Sequence, residues 1–581
     1  FVVATLALAV ADGRQRALAE ARAEAALEAD TTQVLEEAAA ALPPTQDGPA
    51  ASAAPPTAAP FTGRYRLGPE VAPLRVVVFS DYQCKACKAV EDELMTIVAR
   101  RTDLSLSVKH FPGSSDCNRF VERSISPNAC WAARAAEAAH RAAPGWAETS
   151  PTERAALFFR MAELLRRHRR EWARLETMQY GGPIFKTLNF DMVFDAEHFE
   201  FMAGVARAVT GRTLPVGPQA ISMTLRQPLG VVGLITPWNF PLVTAISKIT
   251  PALMMGNTAV VKPASTAPLT VLKLGELAVE AGFPPGVLNI VSGPGSTAGE
   301  AIVRHPHVAK INFTGDSETG KRILALAAAA VKPVACELGG KNAFIVMPDA
   351  DMKATVEGAV WGGFFNSGQN CGASSRYLVH DSVYDAFAEQ FVAAAKRLRV
   401  GDPLDPSTMI GPVAYKGHRD GIERFVERAK RSGLKLLLGG ERPDTPETRD
   451  GYFVAPTIFG DCDPKSEIMQ EEVFGPVVAL ARFRTPEEAV EIANDSRFGL
   501  CASIWTRDIR QGLVMTKQLQ VGTVWLNQHL SIVFECPWGG CKESGHSKEN
   551  SIMVLDEYSM MKNVWIDLAG TPATPWRGEF D

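Results

Sequence analysis

Between residues 231 and 346 the apolar positions come in short segments rather than in long stripes: VVGLI at 231–235, TAVV at 258–261, VLNI at 287–290 and AKINF at 309–313. Segments with helical spacing, such as 267–281, separate them. Short apolar runs alternating with helices are the βαβ rhythm of a parallel sheet covered on both faces. A further α/β unit spans about residues 343–480, with helices predicted at 382–397 and 418–430. Upstream, LRVVVF at 74–79 reads as a strand. A helical pattern through Val90, Leu94 and Ile97 follows, and then a second extended run at 104–111, giving a strand, helix, strand unit.

The first sixty residues differ in kind. Phe1 to Ala11 is an apolar run without a basic flank, which fits the remnant of a signal peptide or anchor and a piece of buried helix equally well. Residues 12–41 read as a weakly amphipathic, Ala- and Glu-rich helix, and six prolines between Pro43 and Pro60 have linker composition. Residues 1–60 are therefore expected to be a leader and linker. They carry three Arg against eight Asp or Glu, which accounts for the whole net charge of -5. With 60 Lys and Arg against 65 Asp and Glu there is no basic excess to neutralise phosphates, so a nucleic-acid partner is not expected. No apolar run reaches the length of a normal membrane span. The 581 residues suffice for three or four domains, and ten cysteines are too few for a disulfide scaffold.

Cys84 and Cys87 sit where the predicted helix after residue 80 opens, a position that stabilises a thiolate and allows dithiol–disulfide cycling. The runs FSDYQCKAC, KHFPGSSDCN and NACWAARAAEAA make this segment similar to the DsbA-like thioredoxin family over about residues 65–140. The closing strand with its cis-proline has no counterpart here, so the expected unit is truncated. Cys117 and Cys130 read as a structural bridge, with a four-thiolate metal site of Cys84, Cys87, Cys117 and Cys130 as a lesser alternative. No metal is expected elsewhere.

Further along, single residues with chemical content stand at segment ends. Asn239 follows VVGLITPW, where its amide could serve an oxyanion. Lys262 ends TAVVK, where ribose hydroxyls or phosphates bind outside a parallel sheet. Gly315 and Gly320 bracket a strand-to-helix turn whose amides suit a pyrophosphate. Glu337 precedes a double glycine, and Cys371 lies in a polar turn; a cysteine with a carboxyl that activates water is the equipment of acyl-enzyme chemistry.

The ordered runs TPWNFP, AVVKPA, NFTGDSETG, CELGGK, GQNCGASSR, EEVFGPV and PWGGCKESG resemble the aldehyde dehydrogenase superfamily over about residues 135–570. The resemblance implies an α/β fold with parallel-sheet cofactor and catalytic domains and an oligomerisation sheet, preceded by the truncated thioredoxin-like segment. It implies a cofactor domain at 141–340 with an oligomerisation segment at 212–228, and a catalytic domain at 341–525. A return to the cofactor domain with an oligomerisation strand follows at 526–568, then a tail at 569–581. It further implies oxidation of an aldehyde to the acid with hydride transfer to NAD or NADP, through a thiohemiacetal and thioester on Cys371. Asn239 and the Cys371 amide would hold the oxyanion, Glu337 would activate water, and Lys248 would serve a proton relay. Lys262 would bind the adenosine ribose, Glu472 the nicotinamide ribose, and Phe474 and Trp238 would lie along the cofactor with Gly315 and Gly320. Two departures stand out: Asp316 replaces the Ser usual beside the pyrophosphate, and Ser265 replaces a Glu common in NAD-preferring members, which opens NADP use.

The run WLNQHLSIVFECPWGGCKESG is similar to the branch handling betaine aldehyde and amino aldehydes, with Trp538 suited to a cationic substrate or simply to the funnel wall. Cys536 and Cys541 are expected to be structural filling. A homodimer or homotetramer in the cytoplasm is expected, although the apolar start and dithiol pair point toward export. The competing classes are a thiol-disulfide oxidoreductase using Cys84 and Cys87, and a nucleotide-binding pseudoenzyme.

Overall fold

The computed structural model describes residues 127–568 and residue 570, together with three upstream strands. The chain forms two compact units, Phe1–Trp131 and Ala132–Asp581. In the first, strands β1 (Tyr65–Leu67), β2 (Leu74–Asp81) and β3 (Leu104–Phe111) form a sheet in the order β1-β3-β2. β2 and β3 run parallel, from Leu74 opposite Leu104 to Asp81 opposite Phe111, and β1 is antiparallel to β3. Both extended runs expected here are strands. Cys84, Cys87, Cys117, the leader at 1–60 and the tail from 571 lie outside the described residues.

The second unit contains two large sheets. The smaller is five-stranded and wholly parallel, built from β6 (Val231–Ile235), β7 (Thr258–Lys262), β8 (Leu288–Ile290), β9 (Val308–Thr314) and β10 (Val334–Glu337) in the order β10-β9-β6-β7-β8. Every residue of β6 and β7 is buried, as expected of strands covered on both faces. The chain winds outward from β6 to β8, then returns to the other side of β6 for β9 and β10. The crevice between the carboxyl ends of β6 and β9 is thus a topological switch point, the place where open α/β sheets bind ligands.

The larger sheet is seven-stranded. Its strands are β11 (Asn342–Val346), β12 (Ser374–His380), β13 (Lys435–Leu438), β14 (Thr457–Gly460), β15 (Val477–Phe483), β17 (Cys501–Trp505) and β18 (Thr523–Leu526), in the order β13-β14-β15-β12-β11-β17-β18. Only the β13 edge pairs antiparallel. Helices Tyr384–Ala395 and Lys416–Arg431 match the two expected from periodicity to within two residues at each end.

A third sheet of β4 (Thr213–Leu214), β5 (Ala220–Pro228) and β20 (Ser559–Asp567) brings the two segments expected to oligomerise side by side. Met561, Trp565 and Leu568 on this sheet are more than half exposed. Helix Pro151–Arg167 packs against helices Met192–Val205, Pro241–Met254 and Leu269–Ala281. Ser150 and Glu153 form a reciprocal capping box at its start, with Pro151 filling the first turn, where its missing N–H costs nothing. Among the described residues no helix is long and apolar enough to cross a membrane.

One buried side chain joins the third sheet to the five-stranded one. Asn257 accepts from the backbone N–H groups of Leu229 (2.6 Å) and Gly230 (3.1 Å), and donates to the carbonyls of Ala252 (3.0 Å) and Tyr558 (2.8 Å). Replacing it with Leu strands several buried backbone groups, each costing about 1–3 kcal/mol. Asn257→Leu is therefore expected to lower the unfolding free energy by about 4 kcal/mol or more. An unchanged urea midpoint at unchanged slope would remove the clamp from this account.

Candidate active site

The carboxyl ends of β6, β7, β9 and β10 face the amino ends of β12 and β15, and the loops at those ends supply the site. Asn239 follows β6, Lys262 ends β7, Gly315 and Asp316 follow β9, and Glu337 ends β10. From the larger sheet, Cys371 lies in the turn before β12, and Glu472 and Phe474 lie in the approach to β15. Residues from 239 to 474 converge because all the strands of one sheet end on the same side.

Two cavities meet at Cys371. One, of about 810 Å³, is lined by Trp238, Lys262, Gly315, Asp316, Glu472 and Phe474 and reaches Cys371. The other, of about 510 Å³, is lined on its far side by Phe194, Trp361, Phe365, Phe534 and Trp538, with Glu337 and Cys371 at its inner end. Asn239 lines the first cavity and Phe240 lines both.

The turn carrying Cys371 is held from several sides. Asn342 donates its amide to the Cys371 carbonyl (2.7 Å) and the Ala373 carbonyl (2.9 Å), and the His529 ring donates to the Gly372 carbonyl (3.0 Å). Asn370 Oδ1 accepts from the Gly372 N–H at 3.0 Å and lies 3.9 Å from the Cys371 Sγ. The Asn239 amide donates to the Gln369 carbonyl at 3.1 Å, so it is locked against the same turn and keeps its second N–H for a ligand.

The electrostatics favour the neutral forms of Cys371 and Glu337. Burial, followed by the nearby carboxyls of Glu337 and Glu472, pushes the Cys371 thiol up to about 12. Burial also raises the Glu337 carboxyl well above the usual range, with Glu549 adding to the effect and Lys248 opposing it. Glu337 Oε1 has no partner, and Gly539 lies so close that a Cβ there would collide with it. An unpartnered buried carboxyl is poised to bind a small polar molecule.

Behind Glu337 lies the fully buried Lys248, ion-paired to Glu549 and donating to Asn312 Oδ1 at 2.8 Å. Lys248 lines neither cavity. The partner Glu549 was not foreseen: it stands in the polar run HSKENS, without periodicity or spacing to mark it, and its burial comes from the antiparallel bridge of its backbone with Trp538. Asn366, Asn342, Asn370 and His529 were likewise not singled out, since an Asn or His in a turn carries no signal of its own.

In the larger cavity, Lys262 donates to the carbonyls of Pro263 (2.7 Å) and Gly293 (3.2 Å), and burial lowers its ammonium to about 8. Glu472 accepts from the Gly340 N–H at 2.9 Å, and burial raises its carboxyl to about 7. Gly339 is the cradle of Glu472, since a Cβ there would collide with the carboxylate. Phe474 adopts φ +56° and packs edge-on against Trp238 at 5.5 Å.

Three expected cofactor residues are placed differently. Ser265 does not line the cavity; its hydroxyl donates to the Gly293 carbonyl at 2.9 Å. Gly320 does not line it either: its N–H bonds the Asp316 carbonyl within the helix, and a Cβ there would lie 2.6 Å from Leu338, so Gly320 serves packing. Asp316 is the N-cap of helix Ser317–Ala328. It accepts from the Thr319 N–H (2.9 Å) and hydroxyl (2.6 Å), so its carboxylate covers the helix start where an anion would bind. Cys541 is partly buried, but Cys536 is exposed rather than filling the interior.

A thiol at the junction of a dinucleotide-sized cleft and an aromatic pocket, beside a buried carboxyl, defines a cysteine-dependent oxidoreductase site. Residues 127–564 match the aldehyde dehydrogenase family. The chain is 42% identical over 422 residues to the betaine aldehyde dehydrogenase of Bacillus subtilis, covering 72% of this chain and 86% of that protein. It is 41% identical over 432 residues to the chloroplastic betaine aldehyde dehydrogenase of Beta vulgaris, covering 74% and 86%. The solved betaine aldehyde dehydrogenase of Staphylococcus aureus in complex with NAD+ superposes with a TM-score of 0.75 at 38% identity, covering 77% of this chain and 89% of that one. The chain belongs to the aldehyde dehydrogenase family.

Because the resting thiol is held protonated, alkylation of Cys371 by iodoacetamide without cofactor is expected to rise about tenfold per pH unit from pH 7 to 9, following the thiolate fraction. A plateau beginning below pH 8 would show that burial and the neighbouring carboxyls do not hold the thiol protonated.

Proposed function

We propose that the protein oxidises a cationic aldehyde of the betaine-aldehyde type to its carboxylic acid, with NAD+ or NADP+ as the oxidant. The observation that carries this is the position of Cys371 at the junction of the two cavities. A cofactor fits the larger one: it offers a buried ammonium, a ribose-binding carboxylate in a glycine cradle, and a volume matched to a dinucleotide. Lys262, Glu472, Trp238, Phe474 and Gly315 would hold it, and when bound it supplies the hydride acceptor.

The chain's own residues do the rest. Cys371 Sγ, deprotonated, adds to the aldehyde carbon to give a thiohemiacetal. The Asn239 amide and the Cys371 N–H donate to its oxygen, where charge develops. Loss of hydride leaves a thioester on Cys371. Glu337, once ionised, takes a proton from water, whose oxygen attacks the thioester; the acid departs and the thiol is restored. Lys248 and Glu549, buried behind Glu337, offer that proton a route outward. The aromatic lining suits a quaternary ammonium, and Asp191, Glu197 and Glu535 add carboxylates along the same pocket. The relatives named betaine aldehyde dehydrogenase support the same substrate. Ser265 presents no carboxylate against a 2'-phosphate, so NADP+ is expected to be accepted as well as NAD+.

Self-association through the edge strand β20, exposed with its apolar side chains, is part of the proposal, and so is residence in a reducing cytoplasm that preserves the Cys371 thiol. The alternative reading is a thiol-disulfide oxidoreductase using Cys84 and Cys87, for which the parallel pairing of β2 and β3 is the strand arrangement expected.

Reduced-cofactor formation at 340 nm, with betaine aldehyde among a panel of aldehydes, tests the main proposal. Wild-type turnover is expected, with none in Cys371→Ala. Glu337→Gln is expected to give a burst of about one reduced cofactor per site followed by turnover slowed about 100-fold or more. A folded wild type without turnover on any aldehyde would overturn the dehydrogenase, and turnover confined to uncharged aldehydes would overturn the cationic substrate. Light scattering on the same preparation is expected to give at least a dimer, and Trp565→Glu a smaller species. An unchanged mass in Trp565→Glu would remove β20 from the interface.

A further inference from the structure

We propose that Lys186 is a positioning residue for the oxyanion-binding loop, acting through Tyr180 and Asn366 on Asn239. The inference rests on the oxyanion role proposed above for Asn239.

Lys186 is fully buried, an unusual place for a lysine, and it lines neither cavity. An ammonium has three protons, and three neighbours surround this one. Asp191 Oδ2 accepts at 2.6 Å, the Tyr180 hydroxyl accepts at 2.6 Å, and the ring centre of Phe240 lies 3.8 Å away. Phe240 follows Asn239 directly, and its ring forms a wall of both cavities. The ammonium is thus bonded on one side to a carboxylate in the wall of the aromatic pocket and seated on the other beneath the oxyanion loop. Glu176 and Asp195 are the other buried carboxyls facing this group, and neither bonds it.

Beyond Tyr180 the links continue to the nucleophile. The Tyr180 hydroxyl donates to Asn366 Oδ1 at 3.3 Å. The Asn366 amide donates to the Asn239 carbonyl at 2.9 Å and to the Gln369 carbonyl at 3.0 Å, and the same Gln369 carbonyl receives the Asn239 side chain. Asn366 thus grips both the loop that carries the oxyanion donor and the turn that leads to Cys371. It does so from a costly conformation: Asn366 and Ser367 both lie in the left-handed region, at φ +55° and +57°, which non-glycine residues hold only when their surroundings enforce it. Gly182 completes the arrangement, since a Cβ there would collide with the Tyr180 hydroxyl. Two partners fix the position of that hydroxyl, and Lys186 is the charged one.

A merely structural lysine and a positioning one differ in whether their effect passes through Asn239. The test is a double-mutant cycle on the full chain, reading kcat for aldehyde oxidation and KM for NAD+. Lys186→Met and Tyr180→Phe are each made alone and in the Asn239→Ala background. Alone, Asn239→Ala is expected to lower kcat about 100-fold, as loss of one oxyanion donor does. Lys186→Met and Tyr180→Phe are expected to lower it about 10-fold through misplacement of that donor, with KM for NAD+ within about twofold of wild type. In the Asn239→Ala background their further effect is expected to shrink below about twofold. Losses that multiply in full, or single variants with wild-type kcat, overturn the proposal. If Lys186→Met fails to fold, Tyr180→Phe, which removes one hydroxyl, decides by the same criteria. Should Asn239→Ala itself leave kcat unchanged, the oxyanion assignment fails and the positioning role falls with it. That outcome is separate from failure of the dehydrogenase reading, which a wild type without turnover would show.

Discussion

A line of buried polar contacts starting at Lys248 ties the catalytic centre to the frame of the fold. Lys248 pairs with Glu549 behind Glu337 and donates to Asn312 on β9. Asn312 receives its other support through the Tyr558 hydroxyl at 2.7 Å, and the Tyr558 carbonyl is gripped by Asn257 at the corner before β7. A buried ion pair of this kind is costly to desolvate and gives little net stability, but breaking it leaves an uncompensated charge in a dry interior. Its effect is to fix where the returning chain, residues 549–558, crosses the end of the cofactor sheet. Trp538 and Glu549 bridge backbone to backbone, so the same crossing sets one wall of the aromatic pocket.

That frame explains why the thiol and Glu337 hold their protons. Both are buried, and neighbouring carboxyls raise them further: Glu337 and Glu472 act on Cys371, and Glu549 acts on Glu337. On the proposed reading, an aldehyde oxygen would meet donors already held in place, and a resting thiol that keeps its proton would limit oxidation and futile alkylation, because the thiolate is the reactive species.

Much of this architecture is legible along the chain. The short apolar segments 231–235, 258–261 and 287–290 are strands because both faces of the parallel sheet are covered, which makes their hydrophobicity continuous and visible. Asn239 and Lys262 could be singled out because each terminates or follows such a segment, where parallel sheets expose their ligands, Glu337 because a double glycine follows it, and Cys371 because it stands in a polar turn. Less legible were residues whose task comes from distant partners. Lys186, a lone charge in the run PIFKTLNF, gives no sign of its buried partners, and Glu549 gives none of an ion pair 301 residues away in sequence. Ser265 and Gly320 erred in the other direction: their positions in motif runs suggested ligand contact, but their polar groups bond Gly293 and Asp316 instead.

The sequence by itself determined four strands of the five-stranded sheet, helices near 267–281, 382–397 and 418–430, and the residue types at the strand ends, because periodicity and local turn chemistry are written over neighbouring positions. Tertiary structure alone decided that Cys371 lies where two cavities meet, that Asp316 turns its carboxylate onto its own helix, and that Lys186 and Lys248 are buried beneath the site. These outcomes depend on burial and on which opposite charges meet across hundreds of residues, and a charged side chain looks the same in a sequence whether water or protein surrounds it.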